Sequence, residues 1–290
     1  MNDIVSFNLR EIKMARSLSD AANYILGQFE RFGIEIPDDS RIKSMYDSVC
    51  KKDGSSRGLI SEKDQNFDIA REALRDFRQL EFFFEQIANN EQQSNYASIL
   101  NQIAKDSVLP QDDKQESRGR NTQAEAFIFA VCRKAGMNPL FEEPDVTCQL
   151  EDRKYGVSIK RIKNLSKIKT RLSKGMQQIH TSGLPGIISV EVTIAVNPEN
   201  YSIVTNENEQ RVRSWWTEKM RQTTNRELRD FISEEVRGIF LHEHCPVCFE
   251  GNYKLRSMTY GISTCESKER KAEWERLKNA FLSGLPNLIT

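Results

Sequence analysis

A chain of 290 residues has room for one large or two modest cores, and with 38% hydrophobic residues at a mean hydropathy of −0.61 it is too apolar for wholesale disorder. Lys plus Arg (42) and Asp plus Glu (42) cancel to a formal net charge of +0, so any surface for a polyanion has to come from local clustering. No apolar run approaches the ~20 residues of a membrane helix, the first ten residues lack a signal-like core, and the cysteines are too scattered for a disulfide framework, which leads us to expect a soluble, cytoplasmic protein with free thiols.

From Ser17 to Lys105 apolar residues recur at helical spacing: Ala21, Ala22, Ile25 and Phe29, then Leu74, Phe77, Leu80, Phe83, Phe84 and Ile87, then Tyr96, Ile99 and Ile103. Turn signals at Pro37-Asp38-Asp39 and Asp53-Gly54-Ser55-Ser56 separate these helices, and Phe83-Phe84 reads as core. The polar stretch 111–120 then reads as a linker between a helical domain over 1–110, suited to regulation or partner binding, and an α/β domain over 121–290. In that second part the pattern predicts a helix from Thr122 to Ala135, extended segments near Leu140 to Leu150 and Tyr155 to Ile162, and a helix from Ser166 to His180. A strand at Gly186 to Val196 follows, then a helix from Glu209 to Glu235, strands at Arg237 to Leu241 and Lys254 to Ser263, and a helix from Lys268 to Leu282.

Cleaving a phosphodiester calls for carboxylates that converge on a divalent cation, with a positive group beside the attacking water. Glu125 in the first predicted α/β helix, Asp145 after Pro144, and Lys160 at the end of Gly156-Val157-Ser158-Ile159-Lys160 supply that set in order. A β-hairpin turning at Glu151 to Lys154 brings Asp145 and Lys160 to one edge. Alternation along the strand points Ser158 and Lys160 one way and Val157 and Ile159 toward the core, and the Ile159 carbonyl becomes a further candidate metal ligand.

Glu125, Pro144-Asp145, Ser158-Ile159-Lys160 and Gln177-Gln178 together resemble the PD-(D/E)xK, restriction-endonuclease-like nuclease superfamily over roughly 121–263. The resemblance implies a mixed central sheet flanked by helices, magnesium (or manganese) held by Glu125 and Asp145, water oriented by Lys160, and a helix glutamine, Gln178 or Gln177, at the site. It implies a deoxyribonuclease, of a kind that often serves restriction or phage defence. Ser158 stands where the family usually has Asp or Glu, which leaves two carboxylates for the cation. From Arg153 to Val190 there is no acid to replace it, and Glu143 and Glu191 are the nearest substitutes.

That acid-free stretch carries Arg153, Lys154, Lys160 and then Arg161, Lys163, Lys167, Lys169, Arg171 and Lys174, of which the last six are candidates to neutralise nucleic-acid phosphates. The competing expectation, resting on Ser158, is an inactive nuclease-like subunit that binds nucleic acid or a protein partner, and the N-terminal helices offer a surface for such a partner or for a second copy. In His242-Glu243-His244-Cys245-Pro246-Val247-Cys248 the ligand types suit zinc, but four ligands crowd into seven residues, so a strand end and loop with free thiols is the expectation. Trp215-Trp216 reads as packing rather than a base-stacking platform, because adjacent helical residues diverge by about 100°.

Overall fold

Helix caps and strand alternation set most of the local structure. In the computed structural model, which describes residues 3–11, 17–50, 67–87, 94–106, 108–109, 117–197, 203–204, 218, 226–249, 252–264 and 267–286, the N-terminal region contributes β1 (Asp3–Glu11) and helices α1 (Leu18–Arg31), α2 (Arg41–Cys50), α3 (Phe67–Ile87) and α4 (Ser94–Ile103). Ser17 caps α1 by accepting the Asp20 N–H, and α1 buries the Ala21, Ala22, Ile25 and Phe29 stripe. Helix α5 (Arg118–Lys134) follows, then β2 (Val146–Leu150), β3 (Arg153–Arg161), α6 (Ile168–Ser182), β4 (Gly186–Glu191), α7 (Thr193–Val196), β5 (Ile203–Val204), β6 (Val236–Phe249), β7 (Asn252–Thr264) and α8 (Lys268–Gly284).

The strands form one seven-stranded mixed sheet in the order β1-β7-β6-β4-β3-β2, with β5 paired to the far end of β6. Strands β3, β4 and β6 run parallel, while β2, β7 and β1 are antiparallel to their neighbours. Helices cover both faces, as an α/β layering requires. On one face Val157, Ile159, Ile187 and Phe240 pack with α5, α8 and the N-terminal helices. On the other, Ile188, Val190, Ile239 and Leu241 pack against Leu172 and Ile179 of α6 and against Leu228. No described helix is long and apolar enough to cross a membrane.

Several expectations need correction. The N-terminal region is not all helical, because β1 pairs with β7 along its whole length. Nor does a break in packing mark the expected boundary between 1–110 and 121–290: a single apolar cluster joins Ala22, Phe29 and Phe83 to Phe127, Val157 and Trp274, and α3 packs on α5. Of the expected linker, Ser117 is the N-cap residue of α5 and 118–120 its first turn, with Ser117, Gly119 and Arg120 buried and Arg118 exposed, and 111–116 lies outside the described residues. The strand expected to run to Val196 stops at Glu191, where the chain turns into α7. In the expected Glu209 to Glu235 helix, Arg226–Phe231 is a 3₁₀ turn and Glu234-Glu235 a bend, while 209–217, 219–225 and the Trp215-Trp216 pair lie outside the described residues. The segment expected as a strand end and loop at His242 to Cys248 continues as β6 to Phe249, because β7 pairs with it throughout. The side chains of Cys245 and Cys248, on which the zinc question turns, lie outside the described residues.

A buried arginine fixes the helices that carry the site. Arg41 is fully buried, ion-paired with Asp76, and donates to the Ile103 carbonyl at 2.7 Å and to Gln123 Oε1 at 2.9 Å. Gln123 in turn donates to Gln79 Oε1 at 2.7 Å, so one network ties α2, α3 and α4 to α5 two residues before Glu125. Buried charges are tolerated only when paired in this way.

Candidate active site

Asp145 stands one residue before β2 and is carried into place by the β2–β3 hairpin. Pairing of Leu150 with Arg153 leaves a two-residue turn, Glu151-Asp152, with Glu151 at φ +55°, two residues shorter than the sequence suggested. The same register sets Val146 against Val157 and so delivers Asp145 beside Ser158 and Ile159. Asp145 Oδ2 accepts the Ile159 N–H at 2.6 Å and Lys160 Nζ at 2.9 Å. Lys160 Nζ also donates to the Ile159 carbonyl at 2.8 Å. The ammonium therefore bridges the two oxygen groups that the sequence reading offered to a metal.

Helix α6 supplies the back wall. Gly175 lets it approach the sheet, since a Cβ there would lie 3.0 Å from Ile188 Cγ2 and 3.2 Å from Ser158 Oγ. This close approach brings Gln178 onto the hairpin: its Nε2 donates to the Pro144 carbonyl at 2.9 Å and to Asp145 Oδ1 at 3.2 Å, and its Oε1 accepts the Ser158 hydroxyl at 2.9 Å. Ser158 is fully buried, with its oxygen 3.4 Å from Asp145 Oδ2. It sits behind Asp145 and does not line the cleft. Gln178 and Ser158 thus hold the aspartate rather than reach outward, in the way outer partners orient a metal-binding carboxylate.

The cleft has a volume of about 880 Å³ and opens at the C-terminal end of β3 between α5 and α6, lined by Glu125, Glu143, Asp145, Lys160 and Gln177 among others. Burial, then repulsion from Asp145, pushes the Glu125 carboxyl up to about 7; Lys160 opposes this and Glu143 reinforces it. Asn121, one helical turn before Glu125, lines the same cleft. Its i,i+4 spacing from Glu125, which puts both side chains on one helix face, is the sequence signal for that position. Of the two candidate substitute acids, Glu143 lines the cleft, whereas Glu191 is ion-paired with Arg161 (Nε–Oε2 3.3 Å) at the end of β4.

The predicted cations divide. Arg153 and Lys154 pair with Glu273 (3.0 Å) and Glu142 (2.6 Å) near the hairpin turn. Arg161, Arg171 and Lys174 line the cleft, Lys163 and Lys167 line a neighbouring cavity, and Lys169 lines neither. Among the described residues no three His, Cys, Asp or Glu side chains converge closely enough to hold a metal by themselves. A hydrated cation would draw on Asp145, Glu125, the Ile159 carbonyl and water, a donor set of hard oxygens. Two features suit it: Asp145 and the Ile159 carbonyl already converge on one cationic group, and Glu125 lines the same cleft, its carboxyl raised by burial and then by Asp145.

Compared with family models, with curated proteins and with solved structures, the chain matches none of them.

Proposed function

We propose that this protein is a metal-dependent nuclease built on a restriction-endonuclease-like core, hydrolysing phosphodiester bonds in DNA. The observation that carries the reading is the convergence of Asp145 and the Ile159 carbonyl on the Lys160 ammonium, with Glu125 in the same cleft and cations alongside. The β2–β3 hairpin, the helix α6 and the chain order of the carboxylates support this reading.

In this reading Asp145, Glu125 and the Ile159 carbonyl hold Mg²⁺ or Mn²⁺, which when bound supplies Lewis-acid polarisation of the phosphoryl group and lowers the pKa of water. Asp145 is fixed by Gln178 and the Ile159 N–H, so it meets the cation without reorganising. Lys160 leaves its bridging position and orients the attacking water by donating to its oxygen; as that oxygen bonds to phosphorus the P–O bond to the leaving nucleoside breaks, the water's proton passes to solvent and the departing oxygen takes a proton from solvent. Arg161, Arg171 and Lys174, lining the cleft, neutralise the strand's phosphates.

The test is cleavage of plasmid and linear DNA, with RNA alongside, in Mg²⁺ and separately in Mn²⁺. Wild type cuts DNA, and Asp145→Ala and Lys160→Ala abolish cutting while keeping the fold. A second reading rests on Ser158, whose hydroxyl is spent on Gln178 where the resemblance leads one to expect an acid. If wild type binds DNA in either metal and never cuts, that reading, an inactive nuclease-like binding subunit, replaces the first.

A further inference from the structure

A second cavity, of about 330 Å³, adjoins the cleft and shares Asn121, Arg161, Arg171 and Lys174 with it. Its outer wall is the start of α6 and the segment 162–164 that leads into it. Five of its ten lining residues are cations (Arg161, Lys163, Lys167, Arg171, Lys174) and none is a carboxylate, whereas the cleft beside it holds Glu125, Glu143 and Asp145. The two adjoining spaces therefore differ in composition: the cleft sets three carboxylates among four cations, whereas the cavity lining offers cations alone, so a phosphate enters the cavity with no carboxylate to oppose it.

Arg161 makes this more than a basic surface. Its side chain is only 5% exposed, its Nε faces Glu191 at 3.3 Å, and its Nη1 has no hydrogen-bond partner. Burial and the pairing with Glu191 fix this guanidinium in the cavity wall, beside the four lysines and arginines that line it with Arg161. An anion in the cavity is met by cations from the end of β3, from the segment leading into α6 and from α6 itself, and by no carboxylate of the lining. The volume is near the lower end of small-molecule sites, about 300 Å³, enough for one phosphate with its sugar.

We propose that this cavity binds a phosphate group of the nucleic-acid strand next to the one that is cut, an inference that rests on the nuclease reading for the identity of the ligand. Anchoring then needs no metal, whereas cutting does. The phosphate sits among Arg161, Lys163 and Lys167, and the strand's next phosphate is delivered to the cleft that holds Asp145 and Glu125.

The experiment is calorimetric titration of the full chain in EDTA with inorganic phosphate and with a single-stranded hexathymidylate. Phosphate binds and competes with the hexathymidylate, which binds at least about tenfold more tightly because it adds sugar and base contacts. Arg161→Gln weakens both by about tenfold or more, the scale of one charge-assisted hydrogen bond. Lys167→Ala, an exposed position that tolerates truncation, weakens both several-fold and decides the matter if Arg161→Gln does not fold. Lys169→Ala, on the same helix with the same charge but outside the cavity, leaves phosphate binding unchanged. Absence of phosphate binding, or equal losses at Lys167 and Lys169 as diffuse attraction would give, overturns the proposal. So does phosphate that binds without displacing the hexathymidylate, which would mark a site for a free phosphate ligand. Because no metal is present, failure of cleavage in the earlier assay leaves this result independent.

Discussion

Glu125→Gln isolates the electrostatic strain of the site. The folded chain holds the Glu125 carboxyl at about 7, against an ordinary value of 4.5. Between those pH values the folded state keeps a proton that the unfolded chain has released, so stability is lost as pH rises from about 4.5 to 7 and changes little above. A separation of about 2.5 pH units, at ~1.4 kcal/mol each, gives an upper figure of about 3 kcal/mol, of which roughly 2.5 kcal/mol falls between pH 5 and 8.5. Glutamine keeps the shape and cannot ionise. Urea unfolding in EDTA should therefore show Glu125→Gln gaining about 2.5 kcal/mol on wild type as pH goes from 5 to 8.5. Mg²⁺ at pH 8.5 should restore wild type more than the variant, since it binds the folded site that holds the carboxylate. Parallel pH profiles for the two proteins would refute the burial of the Glu125 carboxyl beside Asp145.

Lys160→Met removes the ammonium that bridges Asp145 and the Ile159 carbonyl. Mn²⁺ binding, followed by electron paramagnetic resonance, should tighten several-fold while cleavage falls by about 10²-fold or more; weaker Mn²⁺ binding would show that the ammonium and the metal do not compete. Ser158→Asp puts a carboxylate at a fully buried position near Asp145 and breaks the bond to Gln178. The melting temperature should fall in EDTA and recover in Mg²⁺, and a loss that metal does not relieve would count against a cation at this point. Arg41→Ala strips buried Asp76 of its shorter ion pair and leaves the longer one to Arg75 (Nε–Oδ1 3.9 Å), for an expected loss of about 3 kcal/mol in urea unfolding; a change under 1 kcal/mol would mean the network does not hold α5.

Local pattern carried much of the fold. The α1 stripe, the Phe83-Phe84 core pair, the β2–β3 hairpin and the order of α5, β3, α6 and β4 were legible because helix and strand periods are written in neighbouring residues. The alternation that turns Val157 and Ile159 to the α5 side and Ser158 toward α6 also follows from pitch alone. β1 was not legible: its strand character depends on β7, more than 240 residues away, to pair its backbone. The extension of β6 through His242 to Phe249 has the same origin, since β7 overrides the turn-like Cys-Pro-Val-Cys.

For the site, residue types and chain order named Glu125, Asp145, Lys160 and Gln178, because carboxylate, lysine and amide chemistry travels with the residue. What each one does was decided by distance. Only packing turned Gln178 inward to hold Asp145, buried Ser158 behind it, set the Lys160 ammonium between two oxygens, and sent Glu191 to Arg161 instead of the cleft. It also sorted a continuous run of cations into cleft, cavity and outer surface. Sequence fixes which groups are present and their local period. Which of them meet, and in what dielectric, depends on contacts between elements far apart in the chain, and those contacts set both the hydrogen-bond partners and the rise of the Glu125 carboxyl to about 7.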